Sequence, residues 1–210
     1  MSSKKPKCHA SDRLITALLV QVPGATVDML SMQLFDTVDE FLQRTSAWQI
    51  AEDIQLVEGQ TEYDLAIPSG SRFVRVMALS HNGRPVPNGP LGYVVGQPSS
   101  IAIWKSPDLA MCEQPMRVIS ALALDPGCGG KACCDWGVPE YMWQMFHSCW
   151  LDGTLGKMFT MPSKPWSNKL QAGYHHKRFR NRMANAKHEA TQGSVYAQPN
   201  WRFPQGGFVG

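Results

Sequence analysis

Six cysteines and six histidines are the side chains here best suited to hold a metal or to attack a substrate. Cys128, Cys133 and Cys134 sit in a Gly-rich stretch, and His147 and Cys149 follow. Tetrahedral zinc takes four such ligands, usually as C-x2-C or H-x3–5-H pairs that converge from one turn of chain. Neither spacing is present, and Cys149 falls on an apolar helix. Free thiols in a reducing cytosol and no metal are therefore expected, with a disulfide formed after release from the cell as the alternative. Cys8 and Cys112 stand apart from this cluster in the sequence. Gly127, Gly129, Gly130 and Lys131 suggest a phosphate loop, which needs a Gly five positions before the Gly-Lys pair and a hydroxyl residue after it. Asp125 and Ala132 stand in those places, so a plain loop is expected.

Nucleophilic catalysis fares no better. There is no G-x-S-x-G elbow, and His147 and Cys149, two apart on a helix, do not face each other. Asp28, Asp36, Asp39 and Glu40 recur as the polar side of one helix and read as a solvated face. His175-His176 lies among cations that disfavour imidazolium and reads as a surface pair. No catalytic residue, cofactor site or enzyme is expected.

The elements that would position these groups follow from periodicity. Thr26 can cap a helix over 26–45, with Val27, Leu30, Leu34, Phe35, Val38, Phe41 and Leu42 on one face. Strands are predicted at Ile50–Val57, Glu62–Ile67, Arg72–Ser80, Ser99–Trp104 and Met116–Leu124. Asn82-Gly83 suits a tight hairpin turn. Pro139 opens a helix whose body, Tyr141 to Phe159, is apolar on nearly every side. Trp166–Ala190 reads as a final helix with two apolar stripes, Trp166/Leu170/Tyr174 and Phe179/Met183/Ala186/Ala190. The stripes are aimed differently, as if two bodies pack on the helix or a kink intervenes near Gly173.

The chain thus divides into a basic N-terminal segment (1–18), a helical domain (19–47 and 138–190), a β domain (48–126), a Cys/Gly-rich loop (127–137) and an extended C-terminal docking arm (191–210). The expected fold class is α+β: a helical bundle of N- and C-terminal helices, a small antiparallel β-sandwich or barrel as insert, and the arm.

Composition narrows the function. The net charge of +3 is too small to identify a nucleic-acid binder by itself. The cations are clustered, however, with Lys177, Arg178, Arg180 and Arg182 in one C-terminal run. That run reads as a solvated basic face or as a nucleic-acid-facing edge. Charged residues are 18% of the chain, below the usual share of about a quarter, and Trp and Met are plentiful; both hint at a surface that partners cover. The apolar run Leu14–Val22 follows a basic start as a secretory signal would. Gln21 and Pro23 interrupt it and no small-x-small site follows, so a signal is not expected; nor is a membrane span. Tyr196, Trp201, Phe203 and Phe208, set among Pro and Gly, look like aromatic anchors for a partner.

The layout resembles the head-tail adaptors of podoviruses, the tail tubular protein A type. Leu19-Val20-Gln21-Val22-Pro23-Gly24-Ala25 leading to Glu40-Phe41-Leu42 and Ser46-Ala47-Trp48 is similar to their N-terminal helix. Glu58 to Leu65, Arg75-Val76 and Asn82-Gly83 are similar to their strand pairs. Val138-Pro139-Glu140, Gly153-Thr154-Leu155, Met158, Pro165-Trp166 and Tyr174 are similar to their closing helices. The resemblance spans most of 19–190; residues 1–13 and the Cys-rich loop have no counterpart in it. It implies a structural subunit of the virion head-tail junction, assembled in the host cytoplasm. Copies would form a dodecameric ring between portal protein and tail nozzle protein, and DNA would cross its lumen without sequence-specific binding. Tyr196, Trp201, Phe203 and Phe208 would then dock on the portal. Lys177, Arg178, Arg180 and Arg182 would face the lumen or the portal. The alternatives are a nucleic-acid-binding module built on the basic helix and another tail or minor capsid component.

Overall fold

The computed structural model describes residues 10–85, 93–95, 100–103, 112, 115–128 and 136–192. The aromatic arm with Tyr196, Trp201, Phe203 and Phe208 lies outside them, as do Cys8, Cys133 and Cys134. The fold is α+β. Helices α1 (Ala10–Gln21) and α2 (Val27–Thr45) precede strands β1 (Gln49–Ile54), β2 (Glu62–Asp64), β3 (Ser71–His81), β4 (Arg84–Pro85), β5 (Tyr93–Val95), β6 (Ser100–Ile103) and β7 (Met116–Leu124). Helices α3 (Glu140–Phe159) and α4 (Lys169–Gln192) close the described chain. No helix among the described residues is long and apolar enough to cross a membrane.

Helix α2 forms as its sequence predicts. Thr26 accepts from the Met29 backbone N–H at its start, and Ser46 ends it in the left-handed region with its N–H on the Leu42 carbonyl. Six of the seven predicted face residues are buried; Val27, in the first turn, stays exposed. Helix α1 departs from the expected division of the chain, which leaves residues 1–18 as a basic segment outside the helical domain. Leu14, Ile15 and Leu18 lie at one-turn spacing and are buried against the other helices. What looked like a leader is one wall of the core.

Every strand pairing among the described residues is antiparallel. One sheet has the order β1-β7-β3-β4 and the other β2-β6-β5. Pairing Ser80 with Pro85 and His81 with Arg84 leaves Asn82-Gly83 as a two-residue turn. Both have positive φ, 51° and 71°, as a type I′ hairpin requires. The sequence missed β4 and β5, which are too short for periodicity to register, and β1 ends at Ile54 rather than running to Val57. Strand β3 carries register shifts between Phe73 and Arg75 and between Val76 and Ala78. Such bulges bend a strand and re-aim its side chains.

Two cores result. The larger joins α1 to α4 with the inner end of β7 and is centred on Trp48, Trp150 and Phe41. Phe41 and Trp143 both meet the Trp150 ring edge-on, at 5.8 and 4.8 Å. The smaller core lies in the β region and includes Tyr63, Phe73, Leu79 and Val118. Along β7, Met116 and Val118 are buried and Arg117 is exposed, as alternation predicts, but from Ser120 onward every residue is buried. There the strand is covered on both faces, because the helices pack on one side of it.

Candidate functional site

Helices α3 and α4 form an antiparallel hairpin, and its surface carries the polar and exposed groups most able to act. Two glycines let the helices approach. A Cβ built on Gly153 would stand 2.5 Å from Thr37 Cγ2 and 2.8 Å from the Phe179 ring; one on Gly156 would stand 2.8 Å from His176 Nδ1. Helix α4 begins at Lys169 rather than Trp166. Asn168 Oδ1 accepts from the N–H groups of Leu170 and Gln171, ending the loop as an N-cap does. Trp166 therefore belongs to the loop, half-buried against the core. Of the first predicted stripe only Leu170 and Tyr174 lie on the helix. Leu170 is 88% and Tyr174 53% exposed, whereas Phe179, Met183 and Ala186 are buried as the second stripe requires.

The hairpin encloses one carboxylate. Asp152 is 3% exposed. Oδ1 lies 2.9 Å from His175 Nδ1. Because a carboxylate only accepts, Nδ1 carries the proton of that bond. Oδ2 lies 3.2 Å from both Arg178 Nε and Arg182 Nη1. These two contacts meet ion-pair distance without hydrogen-bond alignment. Arg178 also donates from Nη1 to the Tyr174 hydroxyl at 2.7 Å and stacks over its ring. His175-His176 is thus not a plain surface pair, and Arg178 and Arg182 are engaged within their own chain. Lys177 and Arg180 are exposed, with no ion pair among the described residues.

Asp152 carries a signal that sequence reading could have used. It is the only Asp, Glu, Lys or Arg between Glu140 and Lys157, in a helix apolar on nearly every side. A lone carboxylate in such a place needs cations, and the next helix offers Arg178 and Arg182 one turn apart.

One turn before Asp152, Cys149 is buried. Its thiol is pushed up to about 12 by burial, with Arg182 opposing and Asp152 assisting the shift. At neutral pH it stays a thiol and is a poor nucleophile or ligand. Among the described residues no group of three or more His, Cys, Asp or Glu could hold a metal ion. The Asp125 carboxylate, which stands where a phosphate loop would need Gly, accepts from the Gly127 N–H at 2.9 Å and closes a tight turn.

The carboxylates of α2 are only in part a solvated face. Asp28 and Asp36 are exposed, but Asp39 pairs with Arg72 on β3 at 3.1 Å. Glu40 bridges Arg44 and Lys157 at 3.2 Å each.

Beside Glu40 opens a furrow of about 640 Å³ between α2, β3 and α4, lined by Arg44, Arg75, Arg180, Met183 and Lys187 among others. Arg75 is held in place by donating to the Gln43 carbonyl at 2.8 Å. Through Arg44 and Arg180 the furrow continues into a recess of about 360 Å³ that adds Lys157, His176 and Phe179. Five cations and one carboxylate line the two together. Burial holds His176 below the ordinary histidine value of 6.5, Arg180 and Lys157 add to the effect, and Glu40 opposes it. Cations gathered in a concave surface create a positive potential that attracts anions. Arg44, Arg75 and Lys157 were absent from the sequence-predicted set because they come from α2, β3 and α3, and only folding brings them to α4.

Comparison with protein-family models finds no match, and comparison with curated proteins finds none.

Proposed function

We propose that this chain is a structural, non-enzymatic head-tail adaptor subunit of a short-tailed phage. Its copies would form a ring joining portal to tail nozzle, through which DNA passes. One observation carries the assembly part of this reading. Two apolar pairs at i, i+4 spacing stay exposed at opposite ends of the α3–α4 hairpin. Tyr141 (56%) and Met145 (63%) stand at one end; Leu170 (88%) and Tyr174 (53%) stand at the other. At ~1.5 Å rise per residue, Met145 lies about 20 Å from the α3–α4 turn. Large apolar side chains left in water at two separate places suit a subunit with a different neighbour on each side. The resemblance in the order and spacing of elements supplies the specific setting. The aromatic arm adds Tyr196, Trp201, Phe203 and Phe208 as portal anchors.

Electron microscopy of the purified protein, alone and mixed with a podovirus portal protein, tests the reading. A ring stacked on the portal is expected, lost when residues 193–210 are deleted. Monomers that leave the portal bare, or that instead coat added duplex DNA, would refute it.

A further inference from the structure

The chain separates its charges. From Thr45 to Ser71 it carries Glu52, Asp53, Glu58, Glu62 and Asp64 and no Lys or Arg; from Gly153 to His188 it carries eight Lys or Arg and no carboxylate. Folding concentrates both poles on surfaces. The basic pole lines the furrow between α2, β3 and α4, where Arg180 and Lys187, two turns apart on α4, set cations along a length of ~10 Å. The acidic pole is exposed at the β1–β2 turn. Glu62 and Asp64 point away from the core on either side of the buried Tyr63, ~7 Å apart along the strand, and Glu58 is exposed just before them. Val57, beside these carboxylates, is an exposed apolar residue at 51%.

Within one chain the two poles do not meet. Tyr63 packs in the smaller core and β2 pairs with β6, whereas the furrow belongs to the helical side. Glu58, Glu62 and Asp64 form no ion pair among the described residues. Like charges held together in a concave surface repel one another and raise the local potential that attracts a counter-charged partner.

We infer that the furrow receives the Glu58–Asp64 turn of a second copy of this chain, a head-to-tail contact between copies. The inference rests on the reading of this protein as a self-assembling subunit and names the surfaces by which it assembles. Glu62 and Asp64 reach Arg180 and Lys187, and Val57, 51% exposed beside those carboxylates, is covered by the furrow wall. Covering it is why a copy of this chain fits better than a nucleic-acid backbone, which would engage the cations and leave Val57 in water. Because donor and acceptor surfaces differ, the contact is heterologous and leaves each copy free to bind one neighbour on either side. Repetition gives a ring if the rotation closes.

Sedimentation velocity of the full chain at low ionic strength provides the test. The wild type is expected to sediment as assemblies that dissociate with added salt. R180E/K187E and E62K/D64K should each be monomeric. An equimolar mixture of the two should reassemble, because native charges meet at one contact and reversed charges at the next. Far-UV circular dichroism of every variant, and the neutral pair R180Q/K187Q with partial loss of assembly, separate a lost contact from a lost fold.

The inference is overturned if the wild type is monomeric at low salt or if either reversal assembles like the wild type. It is also overturned if folded variants stay monomeric when mixed. The same holds if R180E/K187E loses binding of a duplex oligonucleotide yet keeps self-association. Rings on the portal that tolerate both reversals would refute this contact and leave the adaptor reading intact. Rescue by mixing without portal binding would do the reverse.

Discussion

Three alanine substitutions in the α3–α4 hairpin measure how closely its helices are packed. Gly153, Gly156 and Gly173 all lie inside helices. Each Gly→Ala change therefore gains about 1 kcal/mol of helix propensity, and differences among the three report sterics alone. At Gly173 nothing lies within 4 Å of the new Cβ, so G173A should stabilise the protein by ~1 kcal/mol. At Gly156 the new methyl meets the His176 ring at 2.8–3.1 Å. That ring is only half-buried and can shift, so gain and cost should nearly cancel. At Gly153 the methyl meets Thr37 Cγ2 at 2.5 Å and the Phe179 ring at 2.8–2.9 Å, on two different helices.

Ordinary carbon contacts lie near ~3.5–4.0 Å, so α2 and α4 would both have to retreat by roughly 1 Å. Overpacking of this kind costs ~1–3 kcal/mol or more. After the propensity gain, G153A should be destabilised by up to about 2 kcal/mol. Urea unfolding followed by circular dichroism resolves these differences. In thermal melts each kcal/mol corresponds to roughly 2–4 °C for a chain of this size. The expected order is G173A above wild type, G156A near it and G153A below it. A G153A protein as stable as G173A would mean that the helices do not meet at Gly153, and the account of the hairpin would fail with it.

D152N keeps the shape but removes the counter-charge of Arg178 and Arg182. Breaking a fully buried pair costs ~3–5 kcal/mol, but both arginines are exposed enough to rehydrate, so a loss of about 2–3 kcal/mol is expected in urea unfolding; an unchanged midpoint would show the cluster to be idle. His176 titrates below its unfolded value of 6.5, so the unfolded chain binds its proton first. The stability it protects is fully present above pH 6.5 and declines as pH falls through 6.5 toward the folded value. H176Q should flatten that part of the stability–pH curve, and a curve parallel to the wild type would count against the assignment. Cys149, with its thiol pushed up to about 12, should resist iodoacetamide in the native protein at pH 7 and react once urea unfolds it. Peptide mass mapping reads this site apart from the other cysteines, and equal labelling rates in both states would contradict the burial.

Several elements were legible from composition and spacing alone. Helix α2 announces itself through a capping threonine and seven apolar residues at helical spacing, because local hydrogen bonding and a one-sided core require little else. The Asn82-Gly83 hairpin is equally local, since both positions demand positive φ. The start of α3 at Pro139 and the second stripe of α4 follow from the same short-range rules. Helix α1 was within reach too. Its apolar spacing is helical, but a basic start followed by an apolar run serves secretion signals and helices alike, and sequence offers no means of weighing a packing partner.

The candidate site is different in kind. Arg44, Arg75, Lys157, Arg180 and Lys187 come from four elements, and their convergence depends on the bulges of β3, the close α3–α4 approach at Gly153 and Gly156, and the seating of α2 on both. The same holds for the basic run on α4. Its residue types mark it as a cationic strip, but whether a given arginine turns inward to Asp152 or outward to the furrow is set by helix phase against a neighbour. Local periodicity therefore determined which segments became helices and strands and which faces they buried. The pairing of charges across elements was decided only by tertiary packing, because Coulomb attraction and desolvation depend on distances between groups far apart in the chain.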